Sequence, residues 1–142
     1  MSEKATRIGE IIAAHSSKEG PMLPILHDVQ HEFGCVDAEA EAIIATGLNL
    51  SRADVHGVVS FYHDFSHEAD PRPVVQICRA ESCKARGVEG LMQAASAAAG
   101  SRVKLHTVYC LGLCSSGPNA RVGDNLHARL DADALVKVIE NA

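Results

Sequence analysis

Four of the five cysteines fall into two pairs, Cys78-x4-Cys83 and Cys110-x3-Cys114, with 26 residues between the pairs, while Cys35 stands apart. Four thiolates delivered in this way can close around one zinc ion or hold one [2Fe–2S] cluster. The cluster would be an anion, with a formal charge of about −2 when oxidised and about −3 after accepting one electron, so it calls for hydrogen-bond donors and positive potential nearby. Arg79, Lys84 and Arg86 flank the first pair, and the loop Ala80-Glu-Ser-Cys83 runs toward a helix N-terminus whose free N–H groups suit an anion. Gly112 inside the second pair and Gly117-Pro118 after it let backbone come close to the sulfurs. Tight zinc knuckles usually separate their ligands by two residues, and the wider gaps here lean toward two metals, although spacing alone leaves both centres open. Dithiol exchange is a third chemistry, but it is best served by Cys-x2-Cys, which this chain lacks.

The elements around the pairs decide whether they can meet. Val74-Val-Gln-Ile77 reads as a short strand followed directly by Cys78, residues 84–99 as an Ala-rich helix stopped by Gly100, and 103–109 as an alternating strand followed directly by Cys110. If the helix is a crossover, the strands are parallel and both cysteine loops leave the same edge of the sheet, where open α/β sheets hold ligands. Downstream, Ala120-Arg-Val122 and Leu126–Leu130 flank Gly-Asp-Asn at 123–125 as a hairpin, and a helix over 132–140, capped by Asp131, closes the unit.

Ahead of this region the periodicity is helical. Ile8, Ile11 and Ile12 mark one helix. Met22, Ile25, Leu26, Val29 and Phe33 mark a second, with Pro21 or Pro24 in its first turn and Gly34 as its stop. Asp37 caps a third, with Ala40, Ile43, Ile44 and Leu48 on its apolar face and Gly47 near its end. Ser51-Arg-Ala-Asp54 is a capping box for a fourth, with Leu50 and Val55 at the staple positions. The polar, proline-bearing stretch 66–73 breaks the pattern. The expected organisation is therefore a small helical bundle over 1–70 and an α/β (α+β) domain over 71–142.

Composition narrows the partners. The 142 residues are 46% hydrophobic and 22% charged, as in ordinary globular proteins. Residues 1–70 hold 4 Lys and Arg against 12 Asp and Glu, and residues 71–142 hold 9 against 6. No cluster of basic residues is dense enough to follow a phosphate backbone, so nucleic acid is not an expected partner. The opening Met-Ser-Glu-Lys-Ala-Thr-Arg has charges where a secretory signal needs apolar residues, and no apolar run approaches the ~18 residues of a membrane span. A cytoplasmic chain without membrane insertion is expected, in which cysteines serve as ligands or core thiols rather than disulfides.

Other reactive side chains have plainer readings. Cys35 follows a helix stop and reads as a buried thiol. His27-Asp-Val-Gln-His31 sets two imidazoles one turn apart, as in zinc proteases, but it has Asp where those enzymes place Glu and lacks a convincing third ligand, so it reads as a solvated helix face. His63 and His67 read the same way. Phe61, Tyr62 and Phe65 are three of only five aromatics and read as packing between the two lobes, with a partner contact as the alternative.

Cys78-Arg-Ala-Glu-Ser-Cys83, Arg86-Gly-Val-Glu-Gly-Leu91, Cys110-Leu-Gly-Leu-Cys114 and Gly117-Pro118 together resemble the thioredoxin-like [2Fe–2S] ferredoxins. That family includes small iron–sulfur subunits of NADH:quinone oxidoreductases, NAD-reducing hydrogenases and NAD-dependent formate dehydrogenases. The likeness continues through Leu48–Tyr62 and the helical front, so it spans nearly the whole chain. Ser51–Phe65 and Val75–Glu81 resemble most the gamma subunit of soluble, molybdenum-containing formate dehydrogenases. The short link Ala99-Gly-Ser-Arg-Val103 departs from the longer insert of many relatives.

The resemblance implies that Cys78 and Cys83 hold one iron of the cluster and Cys110 and Cys114 the other. It implies a one-electron carrier docked on a flavin- and NAD-binding iron–sulfur subunit, with FMN, NAD and the molybdenum cofactor all on partner subunits and no substrate site on this chain. The same role in a quinone oxidoreductase or hydrogenase, and a structural zinc module, are the alternatives. Pro118 would stand where thioredoxin-like folds carry a cis-proline, although X–Pro bonds in general favour trans.

Overall fold

Apolar residues spaced three and four apart build four helices in the first half of the chain: α1 (Glu3–His15), α2 (Met22–Phe33), α3 (Ala38–Leu48) and α4 (Arg52–Phe61). The computed structural model describes all 142 residues and divides into two compact units, Met1–Pro71 and Arg72–Ala142. Short polar side chains start three of the helices. Ser2, Asp37 and Ser51 accept from the N–H groups of Ala5, Ala40 and Asp54, and the Ser51–Asp54 pair forms a complete capping box. Gly34 ends α2 in the left-handed conformation at φ 75°.

Gly47 lies near the end of α3, as expected. Asn49, left-handed at φ 54°, stops the helix, and Gly47 lies inside it, where a Cβ would come within 2.7 Å of Ile12 Cδ1. Gly47 therefore sets the approach of α1 to α3. Ile8, Ile25, Leu26, Val29, Ile44 and Val55 are fully buried between these helices.

Asp37 does two jobs in this unit, capping α3 and accepting the Lys4 ammonium of α1 at 2.5 Å. The Lys4 hydrogen bond and the Ala40 N–H hold its carboxyl below the usual range. A depressed folded-state value stabilises the unit above the unfolded pKa, and this stability is lost as pH falls through the folded one. Asp37→Ala is accordingly expected to cost about 1–2 kcal/mol at pH 7 in urea titrations followed by far-UV circular dichroism. The penalty should shrink below pH ~4, where the unfolded carboxyl is already protonated.

In the second unit, β1 (Val74–Cys78) pairs in parallel with β2 (Lys104–Val108) and antiparallel with β3 (Ala120–Val122), which pairs with β4 (Asn125–His127). The strand order is β2-β1-β3-β4, a mixed α/β arrangement, and the crossover between the parallel strands is helical as expected. It is, however, not one helix over 84–99. The backbone forms a single turn α5 (Glu81–Ala85), breaks at left-handed Gly87 (φ 93°), passes through a 3-10 turn at Val88–Leu91 and continues as α6 (Met92–Ala99).

The hairpin turns at Gly123–Asp124, but its second strand ends at His127 rather than Leu130. The reason is a competing set of partners: the Arg129 and Leu130 N–H groups donate to the carbonyls of Ser116 and Pro118 at 2.7 and 3.0 Å, fastening the loop that carries Cys114. The Gly117–Pro118 bond is cis, against the general trans preference. Helix α7 (Ala132–Glu140), capped by Asp131, buries Leu135 and Ile139 in a second core with Val75, Ile77, Val88 and Ala95. No helix is long and apolar enough to cross a membrane.

Candidate metal centre

Parallel pairing decides where the thiols go. Cys78 is the last residue of β1, not the first after it, and sits across from Val108, two residues before Cys110. Both cysteine loops thus leave one edge of the sheet. The register is locked there by Arg79 N–H donating to the Val108 carbonyl at 2.9 Å and Cys78 N–H to the Asn119 carbonyl at 3.1 Å. Cys83 lies within the single turn of α5 and is buried.

All four thiols meet at this edge. Cys83 is influenced electrostatically by Cys78 and Cys114, and Cys114 in turn by Cys110 and Cys78. The Cys110 and Cys114 sulfurs are 3.6 Å apart. This is close to the ~3.8 Å edge of a tetrahedron with metal–sulfur bonds of ~2.3 Å. The pairs differ in exposure: Cys78 and Cys83 are buried, Cys110 and Cys114 exposed.

Backbone supplies the donors. Gly112 N–H points at the Cys110 sulfur at 3.3 Å and draws that thiol below its usual value, with Cys114 adding to the effect. Burial pushes Cys83 up, the Cys78 thiol pushes it further, and the backbone N–H of Asn119 opposes both. Cys114 is raised, chiefly by its hydrogen bond with Cys110. Metal binding must displace these protons.

Two residues that the sequence does not flag hold the loops. Ser82 Oγ–H donates to the Cys114 carbonyl at 2.8 Å, and the side-chain amide of buried Asn119 donates to the Leu113 carbonyl at 3.0 Å. Only their place beside the cysteines could have suggested them. Gly117 matters for space: a Cβ there would lie 3.0 Å from the Cys83 sulfur.

Of the cations near the site, one is engaged elsewhere. Arg79 forms a two-pronged ion pair with Glu89, at 2.9 and 2.5 Å, while Lys84 and Arg86 are exposed. Of the remaining candidates, Cys35 is half-buried rather than buried and belongs to the helical unit. His27 and His31 are exposed on α2, as expected. Phe65 is buried in the helical unit's own core, whereas Phe61 is 75% exposed. His67 is not simply solvated, since its Nδ1 lies 3.5 Å from Glu41 Oε1.

Two converging thiol pairs can bind a mononuclear zinc or a binuclear iron–sulfur centre, and comparison with known proteins separates these. Residues 8–142 match the sequence profile described as thioredoxin-like [2Fe-2S] ferredoxin. One subunit of the NADH-quinone oxidoreductase of Rhizobium meliloti is 30% identical over 138 residues, covering 91% of this chain and 82% of the relative. The HndA subunit of the NADP-reducing hydrogenase of Solidesulfovibrio fructosivorans is 24% identical over 139 residues, covering 92% and 81%. Among solved structures, the NAD+-reducing [NiFe]-hydrogenase in its H2-reduced state superposes with a TM-score of 0.66 at 24% identity. That match covers 84% of this chain and only 22% of the hydrogenase chain, so it speaks for the fold alone.

Proposed function

The chain belongs to the thioredoxin-like [2Fe–2S] ferredoxin family and its cofactor is one [2Fe–2S] cluster; from that premise we propose that Cys78, Cys83, Cys110 and Cys114 are the ligands and that the chain is an electron-transfer subunit of an NAD-linked oxidoreductase. The observation that carries the proposal is the meeting of the two thiol pairs at the carboxyl edge of β1 and β2. Cys78 with Cys83 serves one iron, and Cys110 with Cys114 the other.

The residues present suit such a group. The donor set is four thiols and no imidazole or carboxylate, the outer sulfurs are already at ligand spacing, and Gly117 leaves room beside Cys83. When bound, the group supplies one-electron transfer at low potential. The chain contributes the rest: the Gly112 and Asn119 N–H groups offset negative charge on the sulfurs, the second core shields Cys78 and Cys83 from water, and the exposed Cys110–Cys114 loop keeps one side of the centre within reach of a partner.

For the host complex, the likeness of Ser51–Phe65 and Val75–Glu81 to formate dehydrogenase gamma subunits supports a cytoplasmic NAD-dependent formate dehydrogenase. The partners would then be a flavin- and NAD-binding iron–sulfur subunit and a molybdenum subunit. The named relatives are subunits of a quinone oxidoreductase and a hydrogenase, so a role in one of those complexes is the second reading.

Anaerobically purified protein is expected to be red-brown, to contain iron and acid-labile sulfide in equal amounts at about two each per chain, and to bleach with dithionite. Colourless protein with stoichiometric zinc would overturn the iron–sulfur reading. Co-purification from the native cell is expected to bring down a molybdopterin subunit. Recovery of nickel–iron or membrane subunits in its place would move the chain to another host.

A further inference from the structure

The helical unit carries a second set of metal-ligating side chains, and it uses none of the cysteines. Glu41 on α3 is 4% exposed, and two imidazoles face its carboxylate. His56 Nδ1 from α4 lies 3.0 and 3.2 Å from its two oxygens, and His67 Nδ1, beyond the end of α4, lies 3.5 Å from Oε1. The three ligand atoms all fall within 4.8 Å of one another.

These separations leave room for one ion among the three ligand atoms. Ligands held by bonds of ~2.0–2.1 Å at tetrahedral angles stand about 3.3–3.4 Å apart, and the nearest approaches of the Glu41 carboxylate to His56 and His67, 3.0 and 3.5 Å, lie on either side of that edge. The two rings stack with centroids 5.1 Å apart and planes at 25°, both presenting Nδ1 to the same carboxylate. One cation would be met by two neutral ring nitrogens and a carboxylate together.

The frame is built as well. Glu41 is fixed in the α3 core face. The backbone beside His67 is pinned by Ser66, whose N–H donates to Gln30 Oε1 at 2.9 Å and whose carbonyl accepts from Val36 N–H at 2.7 Å. His56 and His67 are about half exposed, so their rings can turn onto a metal and a fourth position stays open to water.

We propose that Glu41, His56 and His67 form a binding site for a divalent transition-metal ion, with zinc the best match to two imidazoles and one carboxylate. The ion would clamp α3, α4 and the 66–70 segment together. No local spacing signals the site, since its members lie 15 and 11 residues apart on three segments.

The test uses full-length protein whose iron and sulfide are complete, so that the cysteines are not free to take zinc. Titration calorimetry with Zn2+ is expected to give one strong site per chain. Glu41→Gln, His56→Ala and His67→Ala should each weaken it at least tenfold, while His31→Ala, which breaks the exposed His27/His31 pair, should leave it unchanged. In the unmodified chain, saturating Zn2+ should protect His56 and His67, but not His63, from diethylpyrocarbonate as read by peptide mass spectrometry. Either of two results would overturn the proposal: a His56→Ala/His67→Ala double variant that binds zinc as tightly as the parent, or full modification of both histidines in the presence of zinc.

Discussion

Cys83→Ser is expected to abolish the cluster almost completely: protein purified without oxygen should lose its visible absorbance, its acid-labile sulfide and its reduced-state EPR signal. The cause is chemical before it is steric. A serine hydroxyl is hard and protonated at neutral pH, and at a position 1% exposed neither water nor another side chain can take over as ligand. Cys78→Ser should behave alike, because Cys78 is equally buried. Cys110→Ser and Cys114→Ser should also degrade the cluster, at a site open to solvent. Cys35→Ser should keep the full EPR signal, since that thiol belongs to the helical unit and not to the four. A normal signal in Cys83→Ser, or its disappearance in Cys35→Ser, would show that the ligands are assigned wrongly.

Gly117→Ala should be nearly as damaging, although it removes no ligand. The added methyl would stand 3.0 Å from the Cys83 sulfur, 3.3 Å from Arg86 Cδ and 3.6 Å from Cys83 Cα. Arg86 is exposed and can swing away, but the sulfur cannot move without leaving its own place in the site. Overpacking of this kind costs about 1–3 kcal/mol. If that strain is relieved when the metal leaves, cluster loss should quicken about tenfold or more. The decay of absorbance in air at a fixed temperature measures it directly. Gly90→Ala is the matched control, because nothing lies within 4 Å of a Cβ there, and its decay should equal that of the parent.

Much of this arrangement is readable from residues alone. The parallel pair follows from two short strands flanking a helical stretch, and the meeting of the cysteine loops follows from the pair. Helix starts at Asp37, Ser51 and Asp131 declare themselves because a capping side chain acts on a neighbour three residues away. What escapes depends on contacts distant in sequence. The break at Gly87 divides a stretch whose alanines suit either one helix or two. The early end of β4 comes from carbonyls at Ser116 and Pro118 that compete for Arg129 and Leu130. Gly47 marks the neighbourhood of the helix end, but only the approach of Ile12 shows it to be a contact. His67 reads as solvated because Glu41 lies 26 residues away in the chain. Asn119 and Ser82 hold the cysteine loops through hydrogen bonds that no spacing announces.

The two units differ in how their contacts are laid out along the chain, and this bears on how a newly made molecule matures. The first is complete by Pro71 and lies wholly ahead of the second in the chain, so it can form while translation continues. The second cannot close until residues 104–108 have emerged to join 74–78 and the hairpin beyond has fastened the Cys114 loop. Until then the sulfurs of the site emerge without the sheet edge that gathers them, and they are open to oxidants. Delivery of iron and sulfide therefore has its natural moment late in synthesis, on a nascent polypeptide whose front is already folded.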